Sequence, residues 1–177
     1  MTRFFTAIAA MMLAVPAWAA ELNDEYEAIG TMTVTLDGEV MELVIAYDIE
    51  DEEAYAEQKM IMGSSLSVNA LGQTVGEDGS PGRPMVQVTL LEQGGEMRML
   101  SAEIYDDQGY DAPLAMGADG GEGTLTAFEM TEDNVMTATV EGTFLRLTNY
   151  MDEPRVADGA EPVAATISYE AELAPLE

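Results

Sequence analysis

Apolar and polar side chains take turns along most of this chain, and a period of two is the mark of β-strands, whose successive side chains point to opposite faces. Tyr26, Ala28, Met32, Val34 and Leu36 alternate with Glu27, Thr31, Thr33 and Thr35. Asp37-Gly38 then interrupts, and a second run extends from Val40 to Tyr47. Asp-Gly accepts the positive φ angles of a two-residue turn, so a hairpin is expected here.

The same pattern recurs downstream. A third strand reads Met60, Met62, Leu66, Val68 and Ala70 on one face, which makes Met60 and Met62 core residues. Val86, Val88 and Leu90 form a fourth, and Gln93-Gly94-Gly95 turns it into a fifth from Met97 to Tyr105. Three more follow: Thr124 to Met130, Val135 to Thr148 with a bend or bulge expected at Gly142, and Val163 to Leu173. The acidic connection Asp48 to Gln58 reads as a link with a helical turn around Glu52 to Glu57, and Gly72 to Pro84 reads as a loop. About eight strands at this spacing predict an all-β domain, an antiparallel β-sandwich or, alternatively, a closed up-and-down β-barrel. A membrane barrel is not expected, because Thr, Glu and Ser stand where a lipid-facing apolar band would be required.

The first nineteen residues are read apart from this domain. Arg3, an apolar run from Phe4 to Val15, Pro16 and Ala17-Trp18-Ala19 have the order of a secretory signal peptide, cut after Ala19. The run is shorter than the roughly 20 residues a membrane span needs. A periplasmic or secreted protein is expected, with residues 20–177 as one β domain.

Missing residue types narrow the chemistry. The chain has no cysteine and no histidine, which removes disulfides, thiolate ligands, cysteine nucleophiles, Ser-His-Asp triads and histidine-bound metals. With 34 acidic against 6 basic residues, the net charge is −28. Nucleic acids and anionic lipids, which are held by Lys and Arg, are set aside as partners, while cations and basic proteins are favoured. An acid-rich surface also keeps a protein dissolved in salty surroundings. Arg83, Arg98, Arg146 and Arg155 are scarce cations in this field, and each is expected to pair with carboxylates.

Three candidate sites follow. The longest irregular stretch, Asp106 to Gly123, carries Asp106, Asp107, Asp111, Asp119 and Glu122, oxygen ligands of the kind calcium takes in tight Asp-Gly turns. Gly120 to Leu125 matches one copy of a Gly-Gly-x-Gly-x-Asp calcium repeat, except that Leu125 stands where Asp is needed. Solvated turns explain the same composition. Met97 and Met99 lie two apart, so their thioethers share a strand face with Ser101, Glu103 and Tyr105, a soft pair that suits Cu(I). Finally, a hydrolase can run on two carboxylates, but no pair stands out among so many, and Lys59 lacks the Ser-x-x-Lys spacing to Ser64 or Ser65. The chain therefore reads as a binding or structural interaction module for a protein or small ligand rather than an enzyme. A calcium-binding protein and a carboxylate-dependent hydrolase are the alternatives, and Asp106 to Gly123 is the first place to look for a ligand.

Overall fold

A computed structural model describes residues 21–117 and 119–176. The expected leader lies outside the described residues. Every regular element among those described is a strand: β1 (Tyr26–Leu36), β2 (Glu39–Asp48), β3 (Glu53–Ala54), β4 (Ala56–Ile61), β5 (Ser65–Val75), β6 (Pro81–Gln93), β7 (Glu96–Tyr105), β8 (Leu114–Gly117), β9 (Gly123–Met130), β10 (Val135–Thr148), β11 (Arg155–Val156) and β12 (Val163–Glu172). The all-β, antiparallel class is thus the observed one.

The strands form one sheet of twelve in the order β3-β2-β1-β12-β10-β8-β7-β6-β5-β4, with β9 and β11 paired to β10 off this path. Its two ends meet, but irregularly. β2 and β5 pair directly only at Val44 and Gln73, after which they part and the chain itself fills the split. Tyr55 donates its N–H to the Ala46 carbonyl at 2.9 Å, and its own carbonyl accepts the Leu71 N–H at 2.8 Å. On either side of Tyr55, β3 pairs with β2 and β4 with β5. The connection read from sequence as a helical turn, Glu52 to Glu57, is therefore strand-like from Glu53 onward, with Glu52 in a turn at φ 54°. Strand hydrogen bonds to two neighbours at once outweigh the helix preference of its glutamates, a case of tertiary context overriding propensity.

Inside the curled sheet lies an apolar core drawn from all around it, including Met32, Val34, Ile45, Val68, Val86, Leu90, Ile104, Met136, Phe144 and Ile167. Each large side chain so buried contributes about 1.5–3 kcal/mol. The Asp37-Gly38 turn forms as expected, with φ angles of 48° and 87°. A second such turn is unexpected. Met62 and Gly63 adopt φ angles of 52° and 71° and reverse the chain from β4 to β5, so Met60 and Met62 belong to a hairpin tip instead of the core. Met62 is 98% exposed.

Two further departures have local causes. Gly72 to Pro84 is mostly strand, since β5 runs to Val75 and β6 begins at Pro81. Within Asp106 to Gly123, β8 pairs Leu114 with Arg146 on one side and with Ile104 on the other. At Gly142, β10 passes from its partner β9 toward its partner β8. A side chain there would strike the Glu122 carbonyl oxygen and the Gly123 Cα, which is why the position is glycine.

Candidate functional site

β7 carries the residues that matter most, and a bulge decides where they point. Thr89 pairs with Ser101 but Leu90 pairs with Met99, so Leu100 is an extra residue on β7. Such a bulge exchanges the two faces of a strand. Leu100 turns outward, 46% exposed, while Met97 and Met99 fall on the inner face and pack half-buried against the core. The Met99 methyl and the Met116 sulfur both occupy the space that a side chain at Gly123 would need. The thioethers proposed for copper are thus engaged in packing, on the face opposite to Glu103 and Tyr105.

The five carboxylates considered for calcium are dispersed. Asp106 is held by Arg146, Asp107, Asp119 and Glu122 are exposed, and Asp111 Oδ1 accepts the Met151 N–H at 3.4 Å. Among the described residues, no three Asp or Glu side chains gather to hold an ion.

What the same segment does instead is cover the outer face of β7. Arg146 on β10 grips it with a forked guanidinium: Nη1 donates to Asp106 Oδ1 at 3.0 Å and to the Ala112 carbonyl at 2.6 Å, and Nη2 donates to Asp106 Oδ2 at 2.5 Å. The Tyr150 N–H adds a bond to the Asp111 carbonyl at 3.1 Å, and the Leu147 N–H one to Pro113 at 2.9 Å. Burial alone would raise the Asp106 carboxyl. The hydrogen bonds from Arg146 and the Gln108 N–H, together with the Arg146 charge, outweigh it and hold Asp106 below the usual carboxylate range.

Beneath this cover, Glu103 and Tyr105 are only 5% and 8% exposed although they point away from the core. The Tyr150 hydroxyl donates to Glu103 Oε1 at 3.0 Å. Burial pushes the Glu103 carboxyl up, and the hydrogen bonds from Ser101 and Tyr150 offset this in part. Burial and the Glu103 charge push the Tyr150 hydroxyl far up in turn. The Tyr105 ring centroid lies 5.3 Å from that of Tyr110 and 6.3 Å from that of Tyr150, both tilted rather than stacked. Tyr110 crowns the cluster, 51% exposed, with the Arg83 guanidinium 4.0 Å above its ring. Met151, 75% exposed, follows Tyr150 directly.

Sequence reading placed Asp106 to Gly123 in view but missed Tyr105, Tyr110, Tyr150 and Arg83, which are scattered along the chain and carry no local spacing signal. Two arginines pair with carboxylates as expected: Arg146 with Asp106, and Arg98 with Glu96 at 3.0 Å. Arg83 sits on an aromatic ring instead.

An open concavity lies on the outer face of β1, β12, β10 and β9. It is a groove of about 270 Å³ lined by Thr31, Ala127, Thr137, Thr139, Ser168 and Glu170. Threonine methyls, Ala127 and Ala138 make its lining more apolar than polar, and Glu170 is its one carboxylate. No helix among the described residues is long and apolar enough to cross a membrane. Compared with known protein families, curated proteins and solved structures, the chain matches none.

Proposed function

We propose that this chain is an exported binding module whose recognition patch is the Tyr110, Arg83, Tyr150 and Met151 cluster, and that it acts by engaging a protein partner rather than by catalysis. One observation carries the reading: the exposed Tyr110 ring is braced from below by the buried Tyr105 and flanked by an arginine. Binding energy concentrates on tyrosine and arginine held rigid over a well-packed base, because little side-chain freedom is lost when the partner arrives. Arg146 and the Glu103–Tyr150 hydrogen bond supply the rigidity. The −28 charge draws basic partners and speeds their encounter, while Tyr110 and Met151 offer the apolar contact.

Glu103 and Tyr150 also resemble a general acid–base pair, but Glu103 is buried and its carboxylate is already engaged by the half-buried Tyr150 hydroxyl. That arrangement favours a structural role.

The test is site-specific photo-crosslinking in the native compartment. Benzoylphenylalanine replaces Tyr110 or Met151, and Val40, 64% exposed on the β1–β2 hairpin, is the control. Positions 110 and 151 should capture the same partner, the control should not, and Arg83→Ala should weaken capture. Equal adducts at all three positions, or none, would overturn the reading.

A further inference from the structure

Oxidants meet few soft side chains in this protein. The chain has no cysteine and no histidine, and its one tryptophan, Trp18, stands in the segment read as a leader. From residue 21 onward, the two-electron chemistry of peroxides therefore falls on methionine, whose thioether becomes a sulfoxide. The methionines are unevenly shielded. Met32, Met116 and Met136 are at most 1% exposed, and Met97 and Met99 pack half-buried against the core. The most open are Met62 and Met151, at 98 and 75%, with Met60 next.

Those two stand in different settings. Met62 is at the tip of the β4–β5 hairpin, toward the Leu91 end of β6. Met151 belongs to the tyrosine cluster at the other end of β6, where Met85 pairs with Tyr105. Its backbone is tied to the residue after Tyr110: the Met151 N–H donates to Asp111 Oδ1 at 3.4 Å, and the Tyr150 N–H donates to the Asp111 carbonyl at 3.1 Å. The main chain is held while the side chain stands free. A change at the Met151 sulfur therefore alters the surface of the patch and leaves the fold in place.

We propose that Met151 is an oxidation site through which peroxide switches off the recognition patch, an inference that rests on the binding role of that patch. The sulfur lone pair attacks one oxygen of hydrogen peroxide and the O–O bond breaks. The departing hydroxide takes the proton of the transferred oxygen and leaves as water. The sulfur gives up two electrons and the peroxide accepts them. A polar sulfoxide then stands where Met151 had offered apolar contact, and the partner loses that contact. Methionine sulfoxide reductases restore the thioether. Met62 reacts under the same conditions at a distance from the patch, which makes it the internal reference.

The experiment uses the full chain with benzoylphenylalanine at position 110. It is treated with hydrogen peroxide, freed of oxidant, mixed with an extract of the native compartment and irradiated, while peptide mass spectrometry follows each methionine. Positions 62 and 151 should gain oxygen several-fold faster than 97 and 99, with circular dichroism unchanged. Adduct yield should fall several-fold as position 151 is oxidised, and return after treatment with the sulfoxide reductases for both epimers. The yield of Met151→Leu should be the same before and after peroxide, and Met62→Leu should respond as the unsubstituted chain does. Oxidation at 151 no faster than at 97 and 99, complete sulfoxide at 151 with unchanged yield, or an equal loss in Met151→Leu would overturn the proposal. Failure of the untreated chain to form any adduct overturns instead the binding role of the patch, and this regulation with it.

Discussion

Replacing Arg146 by methionine should release the segment that supports Tyr110. Methionine keeps much of the aliphatic stem, so the change removes chiefly the charged fork. That fork makes two bonds to Asp106 and one to the Ala112 carbonyl, and a bond to a charged group contributes about 1.5–3 kcal/mol. The two side chains remain 19% and 25% exposed, so water replaces part of what is lost. The cost should be about 2–3 kcal/mol, below the roughly 3–5 kcal/mol of breaking one side of a fully buried pair. In a domain of this size that lowers Tm by about 4–10 °C. Urea unfolding should show a lower midpoint at unchanged m, and amide exchange should quicken over residues 106–112. The sign of the pH dependence follows from Asp106, whose carboxyl is held low in the folded state. Its contribution is fully present above the unfolded aspartate pKa of about 3.9 and is lost as pH falls through the folded value. The gap between native chain and variant should therefore close in acid. A loss below about 0.5 kcal/mol, the range of an ordinary surface change, or a gap that ignores pH, would refute the reasoning.

Two further outcomes are expected. Glu103→Gln keeps an acceptor for Tyr150 while removing a buried charge, and because burial raises the Glu103 carboxyl the native chain binds more protons folded than unfolded at this site. The variant should gain stability relative to the native chain as pH rises above the unfolded glutamate pKa of about 4.3, each unit of the shift being about 1.4 kcal/mol; thermal melts from pH 4 to 8 that run parallel would contradict this. Gly142→Ala drives a methyl group into the Glu122 carbonyl and should cost about 2 kcal/mol or more, read as a lower urea midpoint, whereas a neutral result would mean that β9 shifts freely.

Period-two patterning made the strands legible because each has one face in the core and one in water. The Asp37-Gly38 hairpin was legible because its residues are the ones such a turn selects. Leu100 shows where pattern reading fails: a bulge adds one residue, and every face assignment N-terminal to it inverts, which moved Met97 and Met99 inward. Met62 hid a turn for the opposite reason, since its residue type argues against the conformation it holds. The tyrosine cluster could not be read at all. Glu103 and Tyr105 look like ordinary outward residues of β7 until the segment held by Arg146 covers them, and that clasp joins residues far apart in the chain.

The first strand lies between the second and the last, with Gly30 opposite Ala171 and Leu36 opposite Ala165. A nascent chain therefore leaves one edge of β1 bare until β12 has been made. Closure of β1 is in this way deferred until β12 is available, and an excess of carboxylates sets exposed edges of neighbouring molecules against pairing with one another.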